Sequence, residues 1–245
     1  SKIEAANLER IKTYLLQRKD QYGKPVAISG GAKIFDWTRR LAWYKRPDML
    51  FEDPKILAWI LKRQNIDIIM AGNVSPGDTG MEEELKKILK IIDGNAILKK
   101  RVHFVQDYDE ELSKALSYGT DVSINTPIVG HEACGTSPWK RILNLAILIS
   151  TDDGGLADLA IKAEEEGKTD YKPAYLQISG KDYQEEAESL YDNLWNAALL
   201  CDGKARISWG DFVKNQLAEY LPIISGARME KDYINLGFPV PIPTS

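Results

Sequence analysis

Five short runs of apolar and β-branched residues recur along the chain, at Ile34 to Thr38, Ile66 to Ala71, Val102 to Gln106, Asp121 to Asn125 and Ala146 to Ser150. Between them lie apolar residues at helical spacing, near Pro54 to Arg63, Glu82 to Ile92, Glu110 to Leu116 and Pro138 to Leu145. Few architectures accept this alternation. Parallel neighbours need a crossover helix, and strands apolar on both faces need cover on both sides. The pattern predicts an α/β fold with a doubly wound, mostly parallel sheet. A helix over residues 3–19 opens the chain, carried by Ile3, Leu8, Ile11, Leu15 and Leu16. After Asp153 the periodicity predicts a helix over Leu156 to Glu166 and a strand over Ala174 to Ile178, then helices over Tyr183 to Leu200, Trp209 to Tyr220 and Ala227 to Tyr233. The tail from Gly237 is apolar and proline-rich, so it is not helical and needs a surface to lie on.

No repeat, low-complexity segment or linker interrupts the 245 residues, which read as one domain over 1–245. The net charge of −4 supplies no global field for nucleic acid or an anionic membrane, so an anion site has to be built locally. The first ten residues mix charge into every turn, unlike a secretory signal. The apolar stretch Ile142 to Ile149 falls far short of the ~20 residues of a membrane span. Both features lead to the expectation of a cytoplasmic protein. Cys134 and Cys201, with only His103 and His131, offer neither a zinc cluster nor a disulfide framework.

In doubly wound sheets ligands sit beyond the carboxyl ends of the strands. Three of the loops there are unusual. Arg39, Arg40, Lys45 and Arg46 place four cations within eight residues after the first strand, which alone reads as a solvated basic face. Gly72 to Asp78 carries two glycines around a turn, which alone reads as an ordinary βα connection. The third loop, Asn125 to Lys140, places Thr136 or Ser137 to cap a helix with Pro138 in its first turn, and Lys140 projects from that turn. A lysine at the positive end of a helix dipole costs about 0.3–1 kcal/mol, a conflict that an anion relieves. Together these loops describe a site for phosphate beside a reactive amine.

These residues resemble the C-terminal domain of the α-glucan phosphorylases of glycogen, starch and maltodextrin. The segment Ile34 to Arg46 is similar to that family's stretch ending in Tyr-Lys-Arg. Glu132-Ala-Cys-Gly-Thr-Ser-Pro-Trp-Lys140, with Asn144 and Asp153-Gly154, is similar to its pyridoxal segment. Ala71-Gly72 and the stretch around Tyr108 match in order, so the resemblance runs from about residue 3 to 235. It implies a Rossmann-like fold, the C-terminal half of a two-domain GT-B glycosyltransferase. It also implies pyridoxal 5′-phosphate in Schiff-base linkage to Lys140, the cofactor phosphate meeting Arg39 and the N–H groups of Gly135 and Thr136, and Tyr108 against the cofactor. Arg40 and Lys45 would hold the reacting phosphate and Glu132 a glucose hydroxyl. The implied reaction is phosphorolysis of a terminal α-1,4 bond to glucose 1-phosphate.

Asn73, Leu145 and Cys134 depart from the family pattern, standing for Lys, Gly and Ser. Cys134 is expected to be buried and inert, and His131 to be a loop or core histidine. The acceptor-binding half of such an enzyme is missing from this stretch. The implied partners are therefore an N-terminal domain or separate subunit, packed by the helix and tail over 225–245, together with α-glucan, phosphate and further copies in an oligomer. Without that half the chain is expected to be inactive. Two alternatives remain, a nucleotide-sugar-dependent synthase domain of glycogen synthase type, and a non-catalytic phosphorylase-like binding module.

Overall fold

The computed structural model describes residues 2–159, 167 and 172–238. Six strands form a single parallel sheet in the order β3-β2-β1-β4-β5-β6. They are β1 (Lys33–Thr38), β2 (Ile66–Ala71), β3 (Val102–Val105), β4 (Val122–Asn125), β5 (Ile147–Thr151) and β6 (Leu176–Ile178). Winding reverses between β1 and β4, which pair through Phe35 with Val122 and Asp36 with Ser123. This is the doubly wound, Rossmann-like order, and its switch point lies between those two strands.

Helices cover both faces. The first six are α1 (Lys2–Leu15), α2 (Pro54–Gln64), α3 (Thr79–Asp93), α4 (Ala96–Arg101), α5 (Glu110–Gly119) and α6 (Ser137–Leu143). After β6 come α7 (Tyr183–Cys201), α8 (Trp209–Ile224) and α9 (Gly226–Asn235). Asp53, Asp78, Asn95 and Asp109 each accept backbone N–H bonds at the start of α2 to α5, as N-capping residues do. Phe35 and Trp37 of β1 point into the larger core with β2 and the helices α2, α3 and α7. Ile34 points the other way, into a core with Ile11, Leu15, Leu112 and Leu116 from α1 and α5. Strand alternation then puts Asp36 and Thr38 on that second face, where both are buried.

Several expected boundaries move. α1 stops at Leu15, and α6 stops at Leu143 because Leu145 takes φ 67, a left-handed conformation that a helix cannot carry through. α4 and the two 3₁₀ turns Trp43–Lys45 and Pro47–Phe51 were not expected, being too short for a periodic signal. The helix from Leu156 is described only to Leu159, with Gly154–Leu156 a 3₁₀ turn, and the tail beyond Phe238 lies outside the described residues.

Candidate active site

Two backbone approaches shape the carboxyl edge of the sheet. Arg39 N–H donates to Ala71 O at 3.0 Å and Leu41 N–H to Asn73 O at 3.0 Å, so the chain leaving β1 runs beside the chain leaving β2. Glycine is required at position 72, because a Cβ there would stand 1.9 Å from Arg39 O. Asn73 Nδ2 donates to Tyr108 O at 3.2 Å and ties in the loop after β3. On the other side of the switch point, Asp153 accepts from Gly130 N–H at 2.7 Å and from Glu132 N–H at 2.8 Å, pinning the turn that carries Glu132.

These loops enclose a cavity of about 260 Å³. All eight residues singled out in the sequence line it: Arg39, Arg40, Lys45, Tyr108, Glu132, Gly135, Thr136 and Lys140. The basic segment is not a solvated face. Arg39, Lys45 and Arg46 are buried and only Arg40 of the four is exposed. Arg46 is structural, donating to Thr126 O and Pro127 O at 2.9 Å each and pairing with Glu186. Lys45 Nζ meets Glu132 Oε2 at 2.7 Å and lies 5.2 Å from the Tyr44 ring centroid. Arg40 donates to Tyr44 Oη at 3.1 Å.

Arg39 is the unusual member. It is 7% exposed, its Nε has no partner among the described residues, and its guanidinium lies 5.7 Å from the Trp37 ring centroid. Burial pushes its pKa from 12.5 down to about 10, against the opposing pull of the Glu132 and Asp36 carboxylates. Lys140 is exposed, and its Nζ makes no hydrogen bond or ion pair among the described residues. A buried cation with spare donors beside a free amine suits a ligand that is both anionic and carbonyl-bearing.

Two readings change, the helix cap and Cys134, while His131 is in a loop as one of its two expected settings. Neither Thr136 nor Ser137 caps α6, since Thr136 starts that helix with no side-chain cap bond. Cys134 is exposed and lines the cavity, not buried, because its loop is held through its carbonyl, which accepts from Gly155 N–H at 3.1 Å. His131 is an exposed loop residue whose ring stacks on Tyr44 at 6.4 Å and meets Trp43 edge-on at 5.2 Å. Sequence reasoning missed Arg141, Ser113, Ser117, Asn125 and Asp153 as lining residues. A carboxylate inside an apolar strand, Asp36, was the available sign that β1 needs a buried cationic partner. That partner is Arg141, 2.8 Å away.

The order of the sheet, with a cavity at its switch point lined by cations, defines a Rossmann-like α/β domain. A family model for the carbohydrate phosphorylases matches residues 54–233. The chain belongs to the carbohydrate phosphorylase family. It is 29% identical over 206 residues to a glycogen phosphorylase of Aquifex aeolicus, covering 81% of this chain and 29% of that protein. It is 27% identical over 245 residues to a maltodextrin phosphorylase of Thermococcus litoralis, covering 93% and 28%. A glycogen phosphorylase of Mycobacterium tuberculosis is 27% identical over 208 residues, covering 81% and 23%. The chain thus spans less than a third of the length of each of these relatives. No helix among the described residues is long and apolar enough to cross a membrane, and none of their His, Cys, Asp and Glu side chains group to hold a metal.

Proposed function

We propose that this chain is the C-terminal, cofactor-bearing half of a pyridoxal-phosphate-dependent α-1,4-glucan phosphorylase that forms glucose 1-phosphate. The observation that carries the reading is Arg39, a buried guanidinium with an unpartnered N–H in the same cavity as the free amine of Lys140. These residues fit the group. Lys140 would hold its aldehyde carbon, and Arg39 with the Gly135 and Thr136 backbone its phosphate. Gly135, at φ 67, keeps that stretch of backbone open, and Tyr108 would lie against the ring. When bound, the cofactor supplies a phosphate able to give and take a proton beside the reacting phosphate.

The chain's own groups then act on substrate. Arg40 and Lys45 would bind inorganic phosphate, and Glu132 would accept a hydrogen bond from a glucose hydroxyl. The 2.7 Å pair between Lys45 and Glu132 holds both side chains in place before substrate arrives. In phosphorolysis the bond from glucose C1 to the glucan O4 breaks, a phosphate oxygen bonds to C1, and the leaving O4 takes a proton. Charge develops at C1 between groups already fixed in position, which is electrostatic preorganisation.

The same reading gives the site a second wall from an N-terminal domain or subunit, since the match covers only 29% and 28% of these two relatives. On α9 and just beyond it, Met229, Tyr233, Ile234, Leu236 and Phe238 are exposed and offer an apolar face for it. Cytoplasmic residence and an oligomer complete the proposal. Borohydride reduction of the protein with pyridoxal phosphate, then peptide mass mapping, tests the cofactor: the adduct is expected on Lys140. An adduct on another lysine, or none, refutes the reading. Glucose 1-phosphate release is expected only when the N-terminal half is supplied.

A further inference from the structure

Four buried side-chain polar atoms lack a hydrogen-bond partner among the described residues: Asp36 Oδ1, Arg39 Nε, His103 Nε2 and Arg141 Nε. His103 lies apart, 3.6 Å from Asp67. Of the other three, Arg39 and Arg141 line the cavity, and the fully buried Asp36 pairs with Arg141. Folded interiors leave few polar atoms unpaired, so two unpartnered guanidinium N–H groups on residues lining one cavity point to a ligand that accepts hydrogen bonds.

Arg141 joins three walls of that cavity. Its Nη2 donates to Asp36 Oδ2 at 2.8 Å and to Thr38 Oγ1 at 2.6 Å, both on β1. Its Nη1 donates to Ser117 Oγ on α5 at 2.6 Å. Only 2% of the residue is exposed, yet it lines the cavity, and its charge opposes that of Arg39. The lining as a whole holds Arg39, Arg40, Lys45, Lys140 and Arg141 against the carboxylates of Glu132 and Asp153. Asp36 pairs with Arg141 at 2.8 Å, and Arg39 feels the charge of Glu132 ahead of that of Asp36. Two buried like charges lining one cavity repel, and negative charge placed between them offsets that repulsion.

We propose that Arg141 is a second guanidinium of the phosphate site: with Arg39 it makes the base of the cavity a subsite for a phosphate dianion, and Asp36 is the counter-ion that tempers its strength. This rests on the reading of the cavity as phosphate-handling and adds two residues to it. Arg141 is fixed by Asp36, Thr38 and Ser117, so little side-chain freedom is lost when the anion arrives. Asp36 limits the affinity, since any anion placed at the base also meets its charge.

The test is calorimetric titration of inorganic phosphate into the wild-type chain and into Arg141→Met, Arg141→Lys and Asp36→Asn, with melting temperature followed in parallel. Arg141→Met is expected to weaken phosphate binding by at least about tenfold, the size of one charge-assisted contact. Asp36→Asn is expected to tighten it several-fold even though it lowers the melting temperature, because both substitutions break a buried pair. A merely structural pair would weaken binding in both variants, in step with stability, and that result overturns the proposal. So does unchanged binding in Arg141→Met. Where Arg141→Met does not fold, Arg141→Lys carries the charge and is expected to lose less than tenfold, and the opposite sign in Asp36→Asn decides the matter. The Lys140 adduct is read separately. Opposed phosphate effects without an adduct leave the anion subsite standing and remove the cofactor reading, and an adduct without them does the reverse.

Discussion

Replacing Arg39 by Met sets stability against ligand binding, and the structure gives the size of the conflict. Burial holds the Arg39 guanidinium down from 12.5 to about 10, so its charged form costs about 3 kcal/mol relative to water. The folded value lies below the unfolded one. The cost is therefore fully present at neutral pH and is relieved only as pH rises through about 10. Methionine keeps a flexible stem of similar reach against Trp37 and removes the charge. The phosphate-free Arg39→Met protein is expected to be about 1–3 kcal/mol more stable than wild type in urea denaturation, a rise of about 2–12 °C in Tm at this chain length. Adding inorganic phosphate should reverse the order, because a site at one hundred times its Kd stabilises the wild type by about 2.7 kcal/mol and the variant has lost the site. A phosphate-free variant less stable than wild type by 1 kcal/mol or more would show that Arg39 is satisfied within the apo fold, and the argument from its isolation would fall.

Gly72→Ala places a methyl 1.9 Å from Arg39 O, a backbone atom that yields only if the end of β1 moves. The expected loss is about 2–3 kcal/mol by thermal melting. Without the clash alanine would stabilise by about 0.4–1 kcal/mol, so the sign alone tests the close approach. Leu145→Gly relieves a left-handed φ of 67 at a residue that is 42% exposed, and the urea midpoint is expected to rise by the equivalent of about 1 kcal/mol. Asp67 is buried, which alone would raise its pKa, but His103, the Ser29 N–H and Arg101 overcome that and hold it below the usual carboxylate range. Its stabilising contribution is therefore present above the unfolded carboxyl value of about 4 and lost as pH falls through the lower folded value. Asp67→Asn should lower stability at pH 7 and flatten the acid limb of a denaturation series, and an unchanged acid limb would refute this.

Much of the candidate site was legible because its residues sit in short runs attached to strand ends. Arg39, Arg40 and Lys45 follow β1 directly, and Glu132 to Lys140 lie between β4 and β5, so a doubly wound order sends both runs to one edge. Burial was not legible. Arg39, Lys45 and Arg46 look alike in a basic run, yet one is unpartnered, one is paired with Glu132 and one is spent on carbonyls. Which partner each cation finds depends on chain some 80 to 140 residues away, at Thr126, Glu132 and Glu186.

Hydrophobic periodicity alone determined the alternation of strands and helices, the parallel sheet and the segments facing its carboxyl edge, because those follow from local geometry that repeats every two or 3.6 residues. Tertiary structure decided what no local period encodes: that Gly72 lets two backbones touch, that Asp153 pins the Glu132 turn, that Leu145 ends a helix, and that Arg141 crosses beneath the cavity to Asp36. Each of these is a contact between residues distant in the chain or a strain imposed by packing, and the energy of a buried charge depends on all its neighbours at once.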